Sequence, residues 1–333
     1  MKLRILLSAM VVCVLTTLLM SCGDTSSLRQ DHPIKPVREY ERMIVGRLDA
    51  DYIGNGACLE KCHVNGHDKL YQDFQESVHS SQVDADSGLP LVNCESCHGP
   101  ASLAVEGVSD NGDPCNFKTL LDLNSLPATA QSLICLKCHS AASTPVLQYW
   151  NASPHATSEV SCFDCHSLHQ GAQQKVSRDE VAELCYKCHL EKKADFANFS
   201  HHPVSEGKIA CTDCHNPHGT ANDKQLIGVT VKATCTKCHM EYQGPFVYEH
   251  ADVTETCTNC HKPHGSPNEP LLEVAQPFLC MQCHAGHHGY SSDKGTLNSL
   301  EMKQAFFTRC TDCHSSIHGT DLPSTHGRGT FMR

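Results

Sequence analysis

The stretch 185–219, CYKCHLEKKADFANFSHHPVSEGKIACTDCHNPHG, decides how the rest of the chain is read. Two cysteine pairs, Cys185/Cys188 and Cys211/Cys214, are each followed directly by a histidine, His189 and His215; further histidines lie between the pairs (SHHPV) and after the second (NPHG). Two thiols three positions apart can each form a thioether to a haem vinyl group, and the imidazole that follows is then held beneath the iron as an axial ligand. Zinc knuckles, disulfides and redox dithiols also use C-x-x-C, but none of them calls for histidine in the next position.

Working outward, the same C-x-x-C-H pattern recurs nine times. It occurs at Cys94/Cys97/His98, Cys135/Cys138/His139, Cys162/Cys165/His166, Cys185/Cys188/His189 and Cys211/Cys214/His215. It continues at Cys235/Cys238/His239, Cys257/Cys260/His261, Cys280/Cys283/His284 and Cys310/Cys313/His314. A tenth copy, CLEKCH at Cys58/Cys62/His63, has one extra residue between its cysteines. The reading is therefore ten covalently attached haem c groups, which together use twenty of the 23 cysteines. Cys115, in NGDPCNF, has no second cysteine nearby and reads as an inert or partly buried thiol.

Ten irons need ten more ligands, and fourteen histidines lie outside the motifs. Methionine is scarce in the mature chain, so bis-histidine ligation is the economical assignment. Aligned with itself, the chain falls into five two-motif units starting near Cys58, Cys135, Cys185, Cys235 and Cys280. The histidine between motifs falls at His79, His155, His201 and His250; SHHPV set beside YEHADV selects His201 over His202, because the valines then align. A trailing histidine recurs as His169, His218, His264 and His318. In the last unit CHAGHHG supplies His287 or His288, of which His288 is taken, and STHG supplies His326. His32 and His67 are left as solvated bystanders.

Composition shows why the haems matter to the fold. From Cys22 onward, Leu, Ile, Val and Phe make only 59 of 312 residues, and 24 basic face 37 acidic side chains, a net charge of −13. A chain so poor in apolar residues and so charged should be disordered unless something it binds supplies apolar surface. Without haem attachment the polypeptide is expected to stay unfolded. The acidic balance also argues against a nucleic-acid partner, which needs clustered Lys and Arg, and favours basic protein surfaces.

The first residues read as an address. Lys2 and Arg4 precede an apolar run from Ile5 to Leu19, and LMSC places Cys22 behind small and apolar residues. This is a lipoprotein signal peptide over residues 1–21, with Cys22 the lipidation site. The apolar run is short for a membrane span. Residues 22–50 read as a lipidated polar tether and 51–333 as a decahaem cytochrome domain. Gly23, not an acidic residue, follows the cysteine, which points to sorting toward the outer membrane.

Successive motif histidines stand only 22 to 41 residues apart, too little chain to enclose each haem in its own fold, so adjacent haems must pack together. The fold class expected is a multihaem cytochrome c of short α-helices and little other regular structure, an elongated haem wire with no β-sheet core. Helices are expected where Leu70, Tyr71, Phe74 and Val78 recur before His79, behind a Ser177/Glu180 capping box, and over 296–309 ahead of Cys310.

Across roughly residues 50–333 the sequence resembles the decahaem electron-conduit cytochromes of the MtrA/DmsE/PioA family. The resemblance rests on ten motifs in paired layout and on SHHPVSEGKIACTDCHNPHG, GPFVYEHADV and CTDCHSSIHG. It implies a wire of bis-histidine haems seated in an outer-membrane β-barrel porin, joining periplasmic redox cytochromes to extracellular ones. On that reading the chain is no enzyme, and it sits lipid-anchored on the periplasmic side of the outer membrane. Two features depart from the family pattern, the expanded CLEKCH motif and the lipid signal. The competing functions are a reductase of nitrite, hydroxylamine or a sulfur oxyanion, which would need one haem with an open position, and a periplasmic electron reservoir.

Overall fold

A computed structural model describes residues 36–62, 68–83, 85–86, 91–106, 108, 115–169, 178–251, 256–284 and 309–323. The signal peptide, Cys22, His32, His63, His67, His287, His288 and His326 lie outside the described residues, as do Ser177 and the helix expected ahead of Cys310. Among the described residues regular structure is confined to short α-helices and 3₁₀ turns, with isolated two-residue bridges and no strand. The longest helices, Ala128–Leu136 and Arg178–Tyr186, have nine residues each. No described helix is long and apolar enough to cross a membrane.

The motifs alternate between two local settings. The first motif of each later unit closes a helix: Cys135 lies in Ala128–Leu136, Cys185 in Arg178–Tyr186, Cys235 in Val231–Cys235 and Cys280 in Phe278–Met281. Three of these motifs then carry lysine, Lys137, Lys187 and Lys237, where a cation complements the helix C-terminus. The second motif opens a 3₁₀ turn, at Cys162–Asp164, Cys211–Asp213, Cys257–Asn259 and Cys310–Asp312. There the aspartate reaches back to the N–H before the first cysteine: Asp164 accepts from Ser161 at 2.7 Å and Asp213 from Ala210 at 2.9 Å. In three motifs of each kind one side chain thus has a charge that fits the helix end it occupies, while Asn259 and Gln282 are the neutral exceptions.

In three units the helix that closes on the first motif packs against the turn that opens the second: Ala128–Leu136 on Cys162–Asp164, Arg178–Tyr186 on Cys211–Asp213 and Val231–Cys235 on Cys257–Asn259. Polypeptide core is scarce. Among the described residues it consists of one cluster built on Tyr40, Ile44, Ala130 and Ile134, and another on Ala182, Tyr186, Phe196 and Val204. The first corrects the tether boundary: Val37–Met43 is helical and lays Tyr40 on Ala128–Leu136, so the structured part begins well before residue 51. The segment VREYERM looks polar, and burying a single aromatic ring from it was not visible in its composition. The helix expected over 70–78 forms as two, Asp68–Gln75 and Val78–Ser81. Ser77 breaks it with an extended backbone and an Oγ that donates to the Phe74 carbonyl at 2.6 Å.

Consecutive units are clasped where the glycine after a trailing histidine meets the unit before it. A Cβ on Gly265 would lie 1.9 Å from the Asp195 carbonyl oxygen, and one on Gly219 2.8 Å from the Tyr149 carbonyl oxygen. Only glycine allows backbones to pass that closely. Beside Gly265 the contact is sealed by a reciprocal pair of hydrogen bonds, Ser200 N–H to the Ser266 carbonyl at 3.1 Å and the reverse at 2.8 Å. Tyr248 and Thr320 repeat the exchange beside Gly319.

Candidate haem sites

All nine C-x-x-C-H motifs adopt one turn. In each, the histidine N–H donates to the carbonyl of the first cysteine at 2.8–3.0 Å, and the second cysteine's N–H donates to the same carbonyl at 3.1–3.3 Å. Both thiols and the imidazole of a motif are thereby fixed relative to one another before any ligand is considered. Thioether formation to one porphyrin needs that arrangement.

The sulfurs also trace how the motifs follow one another. Within units the first cysteines meet: thiol hydrogen bonds join Cys135 to Cys162, Cys185 to Cys211, Cys235 to Cys257 and Cys280 to Cys310. Between units the second cysteines are neighbours. Burial pushes the thiols of Cys97, Cys165, Cys214 and Cys260 up, and the nearby Cys138, Cys188, Cys238 and Cys283 add to it. At the N-terminal end burial, then Cys58, pushes Cys94 up to about 11. A thioether sulfur does not titrate, so these effects serve only to map proximity. The map is unbroken from Cys58 to Cys310, alternating first-to-first and second-to-second.

Eight imidazole pairs face each other with ring centres 5.7–6.2 Å apart. Metal–imidazole bonds of about 2 Å, with about 1.1 Å from ring nitrogen to ring centre, put two rings on opposite sides of one metal about 6.2 Å apart. The side chains therefore fit an iron between each pair. Among the described residues no three His, Cys, Asp or Glu converge as a zinc site requires; the imidazoles meet in twos.

The pairing follows a rule of exchange. Each histidine between motifs faces forward, to the first motif of the next unit: His79 to His139, His155 to His189, His202 to His239 and His250 to His284. Each trailing histidine faces backward, to the second motif of the preceding unit: His169 to His98, His218 to His166, His264 to His215 and His318 to His261. Neighbouring units thus trade one imidazole each way. His314 is described, whereas its motif counterpart His63 and the candidates His288 and His326 are not.

Several rings are oriented by backbone carbonyls. His155 Nδ1 lies 2.8 Å from the Pro217 oxygen, His202 Nδ1 2.5 Å from Pro263, His215 Nδ1 2.8 Å from Lys224 and His261 Nδ1 2.9 Å from Pro270. A carbonyl only accepts, so Nδ1 carries the proton and Nε2 presents a lone pair. Pro217 and Pro263 each precede a trailing histidine, so the N-P-H-G and K-P-H-G phrases present one imidazole and orient another.

Two expectations are corrected here. The ring facing His239 is His202, not His201. His201 Nδ1 donates to the Asn198 carbonyl at 2.6 Å and Nε2 to Glu206 at 3.1 Å, so neither nitrogen keeps a lone pair for a metal. Cys62, expected to carry a thioether, is instead bonded to Cys115 across a Cα separation of 5.9 Å. The extra residue in CLEKCH is the cause: Cys62 occupies the fifth position of the turn, its N–H donating to the Cys58 carbonyl at 3.0 Å, the place histidine takes in the other nine motifs.

Cys313 stands in the same motif turn as the other second cysteines, its N–H donating to the Cys310 carbonyl at 3.3 Å, and its thiol is exposed, as are those of Cys138, Cys165, Cys188, Cys214, Cys238 and Cys283.

Comparison with known proteins agrees with this geometry. A multihaem cytochrome MtrA of Shewanella baltica is 33% identical over 334 residues, an alignment covering 97% of each chain. The chain belongs to the MtrA family of multihaem cytochromes. The family described as the doubled CXXCH motif also matches, over residues 154–194, 201–244 and 250–289. Each matched segment opens at a histidine between motifs and contains that histidine's partner, as 154–194 holds both His155 and His189. The cytochrome carries covalently bound c-type haems and transfers electrons through them.

Proposed function

We propose that the eight facing imidazole pairs are axial ligand pairs and that the cytochrome conducts electrons from one end of its row of sites to the other. The observation that carries this is the unbroken sequence of neighbouring motif sulfurs from Cys58 to Cys310, with imidazoles exchanged across every boundary between units. When bound, haem would supply a one-electron couple, and at the eight sites the paired imidazoles would hold the iron and leave no position for a substrate. The protein's part is to hold successive sites in contact. The motif turns fix the cysteines, and the carbonyls of Pro217, Lys224, Pro263 and Pro270 hold imidazole lone pairs in place.

Cys310 and Cys313 hold the haem of the tenth motif. The remaining ligand positions fall to the chain's ends, with His288 and His326 the sequence's candidates. Cys22 anchors the mature chain by lipid to the periplasmic side of the outer membrane, and an outer-membrane β-barrel porin houses it. Periplasmic and extracellular redox cytochromes exchange electrons at its two ends. The excess of acidic residues favours partners with basic faces. Pull-down of the full chain from detergent-solubilised outer membranes is the test: a co-purifying β-barrel is expected, and a cytochrome recovered without one from every detergent would overturn the conduit.

A further inference from the structure

We propose that the mature protein carries a Cys62–Cys115 disulfide, and that its first motif consequently holds haem through one thioether, at Cys58. The inference rests on the haem reading of the other nine motifs but concerns a bond that reading does not contain. Nineteen other cysteines are described, eighteen of them in C-x-x-C-H pairs three positions apart, and all are unbridged. The bridge forms only at the motif whose register differs.

Scaffold on both sides brings the two cysteines together. The helix Gly54–Lys61, which carries Cys58, is pinned at its start by the buried Glu95 carboxylate, which accepts from Ile53 at 3.0 Å, Gly54 at 2.7 Å and Ala101 at 3.0 Å. Asn55 is tied to the second motif by accepting from the Cys94 N–H at 2.9 Å. On the other side Asn116, next to Cys115, donates to the Ala104 carbonyl at 2.9 Å. The helix Ser102–Val105 that presents this carbonyl packs against both Gly54–Lys61 and Phe117–Thr119. A Cα separation of 5.9 Å lies inside the range disulfides span, roughly 4.4–6.8 Å.

The chemistry balances in two independent steps. Each thiol of the bridge gives up a proton and one electron; the S–S bond forms as the disulfide of a thiol oxidase in the export compartment is reduced to its two thiols. Cys58 adds S–H across one vinyl group, sulfur to one carbon and hydrogen to the other, with no oxidant required, and the second vinyl stays unsaturated.

The test uses the haem-loaded full chain, alkylated under denaturing conditions with iodoacetamide, then reduced, labelled with N-ethylmaleimide and digested for mass spectrometry. Cys62 and Cys115 are expected to carry only the second label, and the Cys58 peptide a haem bound at one sulfur. Cys115 taking the first label, or Cys62 bound to haem, would overturn the proposal. In Cys115→Ser, Cys62 is expected to become reactive to the first reagent with haem still attached at Cys58; a Cys62 that stays unlabelled and haem-bound in wild type and variant alike counts against it. Peptides from the other nine motifs report separately on the underlying reading, since their doubly attached haems do not depend on Cys115.

Discussion

The unit that begins at Cys58 and the unit that begins at Cys185 carry the same two-motif plan and are held by different means. Around Cys185 and Cys211 the exchange of imidazoles runs both ways: His155 arrives from the preceding unit and His264 from the following one. Gly265 and the Ser200/Ser266 bonds clamp the same boundary. The described part of the first unit is held by polypeptide devices: the buried Glu95 carboxylate, the Cys62–Cys115 bridge, and the Tyr40 helix laid over Ala128–Leu136. Repeat proteins need atypical end units because an interior repeat borrows half its contacts from its neighbours. Here the borrowed contacts are histidines, and the cap replaces them with carboxylate, sulfur and an aromatic ring.

The largest expected effect tests the exchange in the interior. His202→Ala removes the imidazole facing His239. One haem per chain should turn from low to high spin and bind carbon monoxide in the ferrous state, as the wild type should not. His201→Ala should leave spin state and carbon monoxide binding untouched. If His201→Ala alone opened a site, the assignment of the two rings would be reversed.

A second effect contrasts the two regions through their glycines. Gly265→Ala drives a methyl group into the Asp195 carbonyl and should destabilise the clasp by about 3 kcal/mol in denaturant titration. Gly56, inside the helix Gly54–Lys61, has nothing within 4 Å of a built Cβ. Gly56→Ala should therefore stabilise that helix, by about 0.5–1 kcal/mol. Equal responses at the two sites would mean that the boundary yields as readily as the cap.

What was legible in the sequence divides along the same line. Motifs, unit frame and the two classes of free histidine could be read off, because thioether chemistry fixes spacing within five residues. The direction in which each class is traded could not, since it depends on pairs such as His98 and His169 that lie in different units. His201 was preferred to His202 by alignment on a valine. The deciding groups, the Asn198 carbonyl, Glu206 and the Pro263 carbonyl, belong to no motif. Cys115 looked solitary because its partner lies 53 residues away and was already assigned to a haem.

The smallest effect belongs to the histidine that the exchange leaves out. Its hydrogen bond to Glu206 raises the pKa of His201 above its ordinary value, helped by the Asn198 carbonyl, while the same bond lowers that of Glu206. A raised histidine contributes fully below its unfolded pKa and loses that contribution as pH climbs through the folded value. A lowered carboxylate contributes above its unfolded pKa and loses it as pH falls through the folded value. The pair thus stabilises between the depressed pKa of Glu206 and the raised pKa of His201, and fades on both sides. His201→Gln, uncharged throughout, should flatten that shallow optimum in thermal denaturation measured across pH, with the haem absorption spectrum unchanged. A spectral change in this variant, even a slight one, would show that His201 acts on the neighbouring His202 ring and is part of the exchange after all.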